Sequence, residues 1–227
     1  MATTVQSARG AAATPPDESP ALTWLIEWVK GHRQLASGIA AAIVVGGGLL
    51  YWNIVSKSRV EGAASQRLTQ ARLAFESKNY PLAGSELSQI TENYSGTRAA
   101  AQANILLAQV RLYQGQAQQA IDLLKRVAPS LGQDYRAQAY GLLGAAYENA
   151  AHPKEAAGAY EDAAAHALYP FLKAQYLSDA GRTWLASGDS AKALADYRTI
   201  VSGMDSTNVV VEAKVRIGEL TRGAGAP

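Results

Sequence analysis

The residues of this chain that could do chemistry are few and scattered. Three histidines, His32, His152 and His166, are the only imidazoles, and no cysteine is present. Their separations match neither an HExxH pair nor a related helical ligand pair, so they predict no metal site. Without cysteine there is no disulfide, thiolate site, cysteine nucleophile or lipid-anchor thiol. Glu155 and the Glu161–Asp162 pair are the acidic groups closest to an acid–base arrangement, but their spacing puts them on a solvated helix face. No GxSxG, phosphate-binding glycine loop or dinucleotide fingerprint occurs, and Gly46-Gly47-Gly48 lies inside an apolar run. The expectation is a non-enzyme without cofactor or metal.

Charge excludes a second class of function. Twenty-one Lys and Arg face nineteen Asp and Glu, interspersed along the chain without a block of like sign. A nucleic-acid partner needs a basic stripe, and none is present.

The elements that would position any functional surface follow from an internal repeat. In a tetratricopeptide register, one helix carries bulky, small and bulky residues at positions 4, 8 and 11, and its partner carries small, bulky and small residues at 20, 24 and 27. From Ala137 this reads Tyr140, Gly144 and Tyr147, then Ala156, Tyr160 and Ala163. From Ala174 it reads Leu177, Gly181 and Trp184, then Ala193, Tyr197 and Ile200. A preceding copy starts at Ala101, a weaker first copy starts near Ala64, and Val211–Thr221 is a closing half copy. Small residues at 8 and 20 let two helices cross closely while large ones fill the space between pairs. One pair cannot bury its apolar face alone, so stacked pairs and an end helix are required. The predicted fold is therefore all-α: a solenoid of about four helix pairs plus a capping helix over 64–222.

Ahead of the repeats, 35–55 (LASGIAAAIVVGGGLLYWNIV) contains no charge and has the length of a membrane span. It predicts one N-terminal transmembrane helix, joined to the repeats by a helical connector over 56–63. Gly38, Ala42 and Gly46 share one face and would admit a second helix. Tyr51 and Trp52 at the far end, and Trp24 and Trp28 in an amphipathic interfacial helix over 20–34, read as anchors in contact with membrane lipid. Lys30 and Arg33 before the run and Lys57 and Arg59 after it leave the orientation undecided by charge. Residues 1–19, polar and proline-bearing, predict a disordered tail, and 223–227 a flexible end.

The surface left for a partner is the concave face, formed by positions 2, 5, 9 and 12 of each first helix. It offers Gln102, Ile105, Gln109 and Leu112 in the second copy, Gln138, Gly141 and Glu148 in the third, and Gln175 and Arg182 in the fourth. This amide-rich, partly apolar set suits an extended polypeptide rather than a carboxylate clamp.

The layout resembles a known family. A membrane helix ending in Tyr51-Trp52-Asn53, the run SKSRVEGAASQRLTQARLAFESKNYPLA, and repeats such as ENYSGTRAAAQANILLAQVRLYQGQAQQAIDLL are similar to the bacterial ancillary Sec-translocon subunits. The resemblance extends over roughly Leu22 to Leu220. It implies a single-pass protein of the bacterial inner (cytoplasmic) membrane with a periplasmic repeat domain that meets the translocon or a periplasmic chaperone in protein export or envelope assembly. The competing expectation is a structural accessory subunit of a respiratory or photosynthetic energy-converting complex.

Overall fold

The computed structural model describes residues 20–203 and 208–221. The expectations for 1–19 and 223–227 lie outside these residues. Two compact units divide the chain at Ser56 and Lys57.

The first unit holds α1 (Pro20–Gly31) and the leading part of α2 (Arg33–Glu76). Proline at the first helical position suits α1, where the missing N–H has no intrahelical partner in any case. The break falls at His32, whose backbone N–H still reaches Trp28 O at 3.0 Å. The amphipathic segment and the apolar run therefore part at His32 rather than at residue 34. Among the described residues no helix is long and apolar enough to cross a membrane. Ala36, Ile39, Ala40, Ala41 and Ile43 of the apolar run are not among the side chains described. The transmembrane expectation for 35–55 accordingly has no support from these residues.

The second unit is entirely helical among the described residues. The first repeat's leading helix is the C-terminal part of α2. No residue between 56 and 64 breaks the helix, so the connector runs into it without interruption. Then follow α3 (Tyr80–Asn93), α4 (Arg98–Tyr113), α5 (Ala117–Val127), a 3-10 turn (Ala128–Ser130), α6 (Gln133–Asn149), α7 (Pro153–His166), α8 (Pro170–Ala186), α9 (Ser190–Gly203) and α10 (Asn208–Thr221). Four helix pairs and a closing helix result, with every expected pair in place.

Each pair turns in the same way. The residue at position 15 is left-handed in all four: Lys78, Gly115, Ala151 and Gly188, with φ of 60°, 72°, 59° and 86°. Its N–H bonds the carbonyl of position 12, and the next N–H reaches back to position 11, as in Asn79 N to Ala74 O and Asp189 N to Trp184 O, both 2.9 Å. This double closure satisfies carbonyls that a helix end would otherwise leave unpaired. Two of the following helices add a side-chain cap. Asn79 Oδ1 accepts from Leu82 N, and Asp189 Oδ1 accepts from Lys192 N.

One cap comes from far away in sequence. Glu61, in the connector, accepts from Arg98 N at 2.9 Å and Ala99 N at 3.0 Å, occupying the first amides of α4. A carboxylate at a helix N-terminus meets both unpaired donors and the positive end of the helix dipole. Glu61 thus fixes where the second pair begins relative to the first.

Candidate functional site

The expected concave face exists in part as one pocket. A cavity of about 450 Å³ is lined by Gln102, Ile105, Gln109 and Gln138, by Arg72 and Phe75 from the same concave positions of the first copy, and by Glu76, Leu106 and Tyr135. Three successive leading helices supply these walls: the end of α2, α4 and α6. Two of the polar groups are already engaged with one another. Arg72 Nη2 donates to Gln102 Oε1 at 2.6 Å, and Gln102 Nε2 donates to Tyr135 OH at 2.7 Å. A partner would meet an ordered amide–phenol chain rather than freely rotating side chains. Ile105 is only 4 % exposed, so it forms the floor and belongs to the core.

The other predicted groove residues lie elsewhere. Leu112 packs against the core near an aromatic group in which Tyr80 and Tyr113 stack at 5.2 Å and Phe75 meets Tyr113 at 5.7 Å. Gly141 is covered by the ring of Tyr176 from the next repeat. Glu148, Gln175 and Arg182 belong to a charged cluster in the third and fourth pairs. Arg182 donates to both oxygens of Glu148, at 2.6 and 2.9 Å, and lies 3.5 Å from Asp179. Tyr160 OH donates to Glu148 Oε2 at 2.7 Å.

That cluster sorts its own protonation. The hydrogen bonds from Arg182 hold the Glu148 carboxyl below its ordinary range, against the opposing effect of burial. Burial pushes Asp179 up despite Arg182, because Glu148 has already taken the bidentate contact. Burial and the Glu148 hydrogen bond together raise the Tyr160 phenol. Glu148 and Arg182 therefore join two helix pairs and are not free for a partner. A bidentate guanidinium–carboxylate contact has the geometry for such a role.

The remaining sequence candidates are placed as follows. His32 stacks on Trp28, His166 stacks on Tyr140 with Nδ1 2.8 Å from Asp162 O, and His152 lies 3.5 Å from Glu155. No group of three or more metal-ligating side chains occurs among the described residues. Glu161, expected on a solvated face, instead accepts from Trp184 Nε1 at 2.7 Å. In the first unit Trp24, Tyr51 and Trp52 are exposed and Trp28 is half-exposed. Gly38 and Gly46 have open space where a Cβ would stand, and Ala42 is exposed.

Sequence reasoning passed over Asn104 and Arg111. These occupy positions 4 and 11 of the second repeat, where the register calls for bulky apolar groups, and both line a second cavity of about 680 Å³. The signal available was the departure itself: two polar residues at the two positions that normally fill the space between pairs.

Comparison with known proteins agrees with this architecture. No curated protein matches the chain. A solved structure of a Podosopora anserina putative kinesin light chain with nearly identical tetratricopeptide-like repeats superposes with a TM-score of 0.55 at 17% identity, covering 72% of this chain and 87% of that one. A crystal structure of MamA gives a TM-score of 0.53 at 19% identity, covering 69% and 85%. At such identities these likenesses concern the fold alone. The family model described as tetratricopeptide repeat-like domain matches residues 56–173, more than half of the chain, and the chain belongs to that family.

Proposed function

We propose that this protein is a membrane-anchored interaction scaffold of the bacterial inner membrane, with its repeat domain in the periplasm, assisting protein export or envelope assembly. Tetratricopeptide-like repeats generally mediate protein–protein interaction, and their fold is typically a non-catalytic scaffold. One observation carries the anchoring. Between residues 35 and 55 no side chain is charged, and Val44, Val45, Leu49, Leu50, Tyr51, Trp52 and Ile54 all stand exposed on α2. Exposed apolar side chains such as these, over 44–54, need a covering, and a bilayer would supply one. The resemblance to ancillary Sec-translocon subunits supports the export role and the periplasmic side. In the groove, Gln109 and Gln138 offer main-chain-compatible amides to an extended segment, beside the engaged Arg72–Gln102 pair.

The test is alkaline carbonate extraction of native membranes, followed by protease treatment of spheroplasts with a tag after Thr221. The expected result is a protein that stays with the membrane and loses its tag to external protease. Release into the carbonate supernatant would overturn the anchoring, and a protected tag would overturn the periplasmic placement. Mass spectrometry of proteins that co-purify in mild detergent then tests the partner. Translocon subunits or periplasmic chaperones are expected; a fixed stoichiometry with an energy-converting complex would replace the export role with a structural one.

A further inference from the structure

One cavity coincides with the second repeat's departure from its own pattern. In the third and fourth repeats, positions 4 and 11 are Tyr140 and Tyr147, then Leu177 and Trp184. In the second they are Asn104 and Arg111, and a cavity of about 680 Å³ stands there, between the C-terminal parts of α3 and α5 and above α4. Its size is that of a ligand pocket rather than a packing defect. Its floor is the buried Leu107, Leu123 and Leu131, partly exposed Ala101 and Val127 also line it, and one wall carries Arg111 and Arg126.

The charges are arranged as though waiting for an anion. Arg111 donates from Nη1 to Gln119 O at 2.8 Å, one bond for a group with five N–H donors. Neither Arg111 nor Arg126 forms a salt bridge among the described residues. Burial and the nearby Arg126 both lower the affinity of the Arg111 guanidinium for its proton, with Asp122 acting the other way. A partly buried guanidinium, Arg111, near an exposed one of like charge, Arg126, is unfavourable on its own and is relieved by an oxyanion that both can reach. Two carboxylates, Glu92 and Asp134, also line the cavity, and Asp134 is 3.4 Å from Arg98. They would oppose a dianion more than a monoanion.

We propose that this cavity binds an acidic segment of a partner polypeptide, taking a carboxylate side chain between Arg111 and Arg126 and a neighbouring apolar side chain against the partly exposed Ala101 and Val127. Asn104 lies two helical turns before Arg111 on the same face; its amide donates to Ala100 O at 2.9 Å and keeps a second N–H for a partner. The site shares only Tyr135 with the amide-lined groove and does not rest on the membrane reading. It gives the second repeat a contact of its own, by which one partner is recognised through charge while the groove holds extended chain.

The test uses the full chain in detergent micelles and a fluorescein-labelled, end-blocked pentapeptide with a central glutamate flanked by leucines, read by anisotropy. Saturable binding is expected, weakened about tenfold in Arg126→Gln, the loss of one charge-assisted hydrogen bond. Arg126 is exposed, so that variant should melt as the parent does. Arg111→Lys retains the charge but not the fork and should weaken binding while keeping the fold. The same peptide with glutamine at its centre should bind at least about fivefold less tightly. Equal binding of the two peptides, unchanged affinity in Arg126→Gln, or no saturation would overturn the proposal. So would inorganic phosphate that binds more tightly than the acidic peptide, since the pocket would then select a phosphate group.

Discussion

The first two helix pairs and the last two make the same close crossing with different atoms. In the first and second, position 8 is Ala71 and Ala108 and position 24 is Leu87 and Leu124, all four without measurable exposure. In the third and fourth, position 8 is Gly144 and Gly181, and the space a Cβ would take is filled by the rings of Tyr160 and Tyr197. One methyl group removed from the first helix is matched by an aromatic ring added from the second. The aromatic solution gains a polar tip as well. Tyr160 reaches Glu148 and so links the crossing to Arg182 in the next pair, something a leucine cannot do. The difference teaches that volume conservation sets the crossing, and that the choice of how to conserve it decides whether neighbouring pairs are tied by charge.

The crossing itself gives the largest expected effect. A Cβ on residue 144 would stand 2.7 Å from Cδ1 and Cε1 of Tyr160, and one on residue 181 would stand 2.7 Å from Cζ of Tyr197. Real carbon contacts do not occur at that distance, so a ring or a helix must move. Gly144→Ala and Gly181→Ala should each cost about 2–3 kcal/mol in chemical denaturation, despite alanine's better helix propensity. The reverse change in the first half, Ala108→Gly, should cost only about 1 kcal/mol. Tyr160→Leu in the Gly144→Ala background should recover part of the loss, giving a favourable coupling of about 1–2 kcal/mol. Strict additivity in that cycle would break the volume argument.

A pair of buried carboxylates cuts across the two halves. Position 23 is Glu86 in the first pair and Asp196 in the last, each with a carboxylate oxygen that is buried and has no hydrogen-bond partner; the inner pairs carry Leu123 and Ala159 there. Burial, with the repulsion of nearby Glu161, pushes Asp196 up to about 7. The folded state then holds this proton more tightly than the unfolded state. Below the ordinary carboxylate range both states are protonated and the residue costs nothing. Stability is lost as pH rises from there to about 7, and the loss is constant above it. Asp196→Asn should therefore raise stability by about 1–2 kcal/mol at pH 8, with little difference at pH 4. A Tm gain of equal size at both pH values would mean that charge burial is not the cause.

The ion pair that joins the last two pairs has the opposite sign. Because Arg182 depresses Glu148, its contribution is present above the ordinary carboxylate range and fades as pH falls through the depressed value. Glu148→Gln should cost about 1 kcal/mol at pH 7, since the pair is only partly screened from water, and less at low pH. An unchanged pH profile would assign Glu148 to packing alone.

How far the chain could be read from residue types follows from what each type reports. Glycine at position 8 with tyrosine at 24 states a size match, so the third and fourth pairs are legible without coordinates. Nothing between Ser56 and Ala64 interrupts a helix, and for that reason the join between connector and first repeat carries no mark in the sequence. Glu148 and Arg182 were legible as groove positions but not as each other's partners, because they are 34 residues apart and the pairing depends on how successive helices stack. Glu61 capping α4 is hidden for the same reason. The cavity at Asn104 and Arg111 was written as a departure from pattern, which is visible only when the pattern is trusted enough for exceptions to count.

The smallest expected effect concerns the turns, and it runs opposite to the crossings. Position 15 must be left-handed in all four pairs, yet only Gly115 and Gly188 are glycine; Lys78 and Ala151 hold φ near 60° with a Cβ. For an L-residue this conformation costs roughly 1–2 kcal/mol, and Ala151 has no side-chain hydrogen bond to offset it. Ala151→Gly should stabilise the chain by about 0.5–1 kcal/mol, part of the gain being lost to the greater freedom of glycine when unfolded. Lys78→Gly should do the same in the first half, and Gly188→Ala should destabilise by a comparable amount. The sign matters more than the size. If Ala151→Gly and Gly188→Ala both lower the Tm, the turn is limited by chain entropy rather than by strain. If they move it in opposite directions, the shared left-handed geometry is what the four turns have in common, and the two halves differ only in how their crossings are filled.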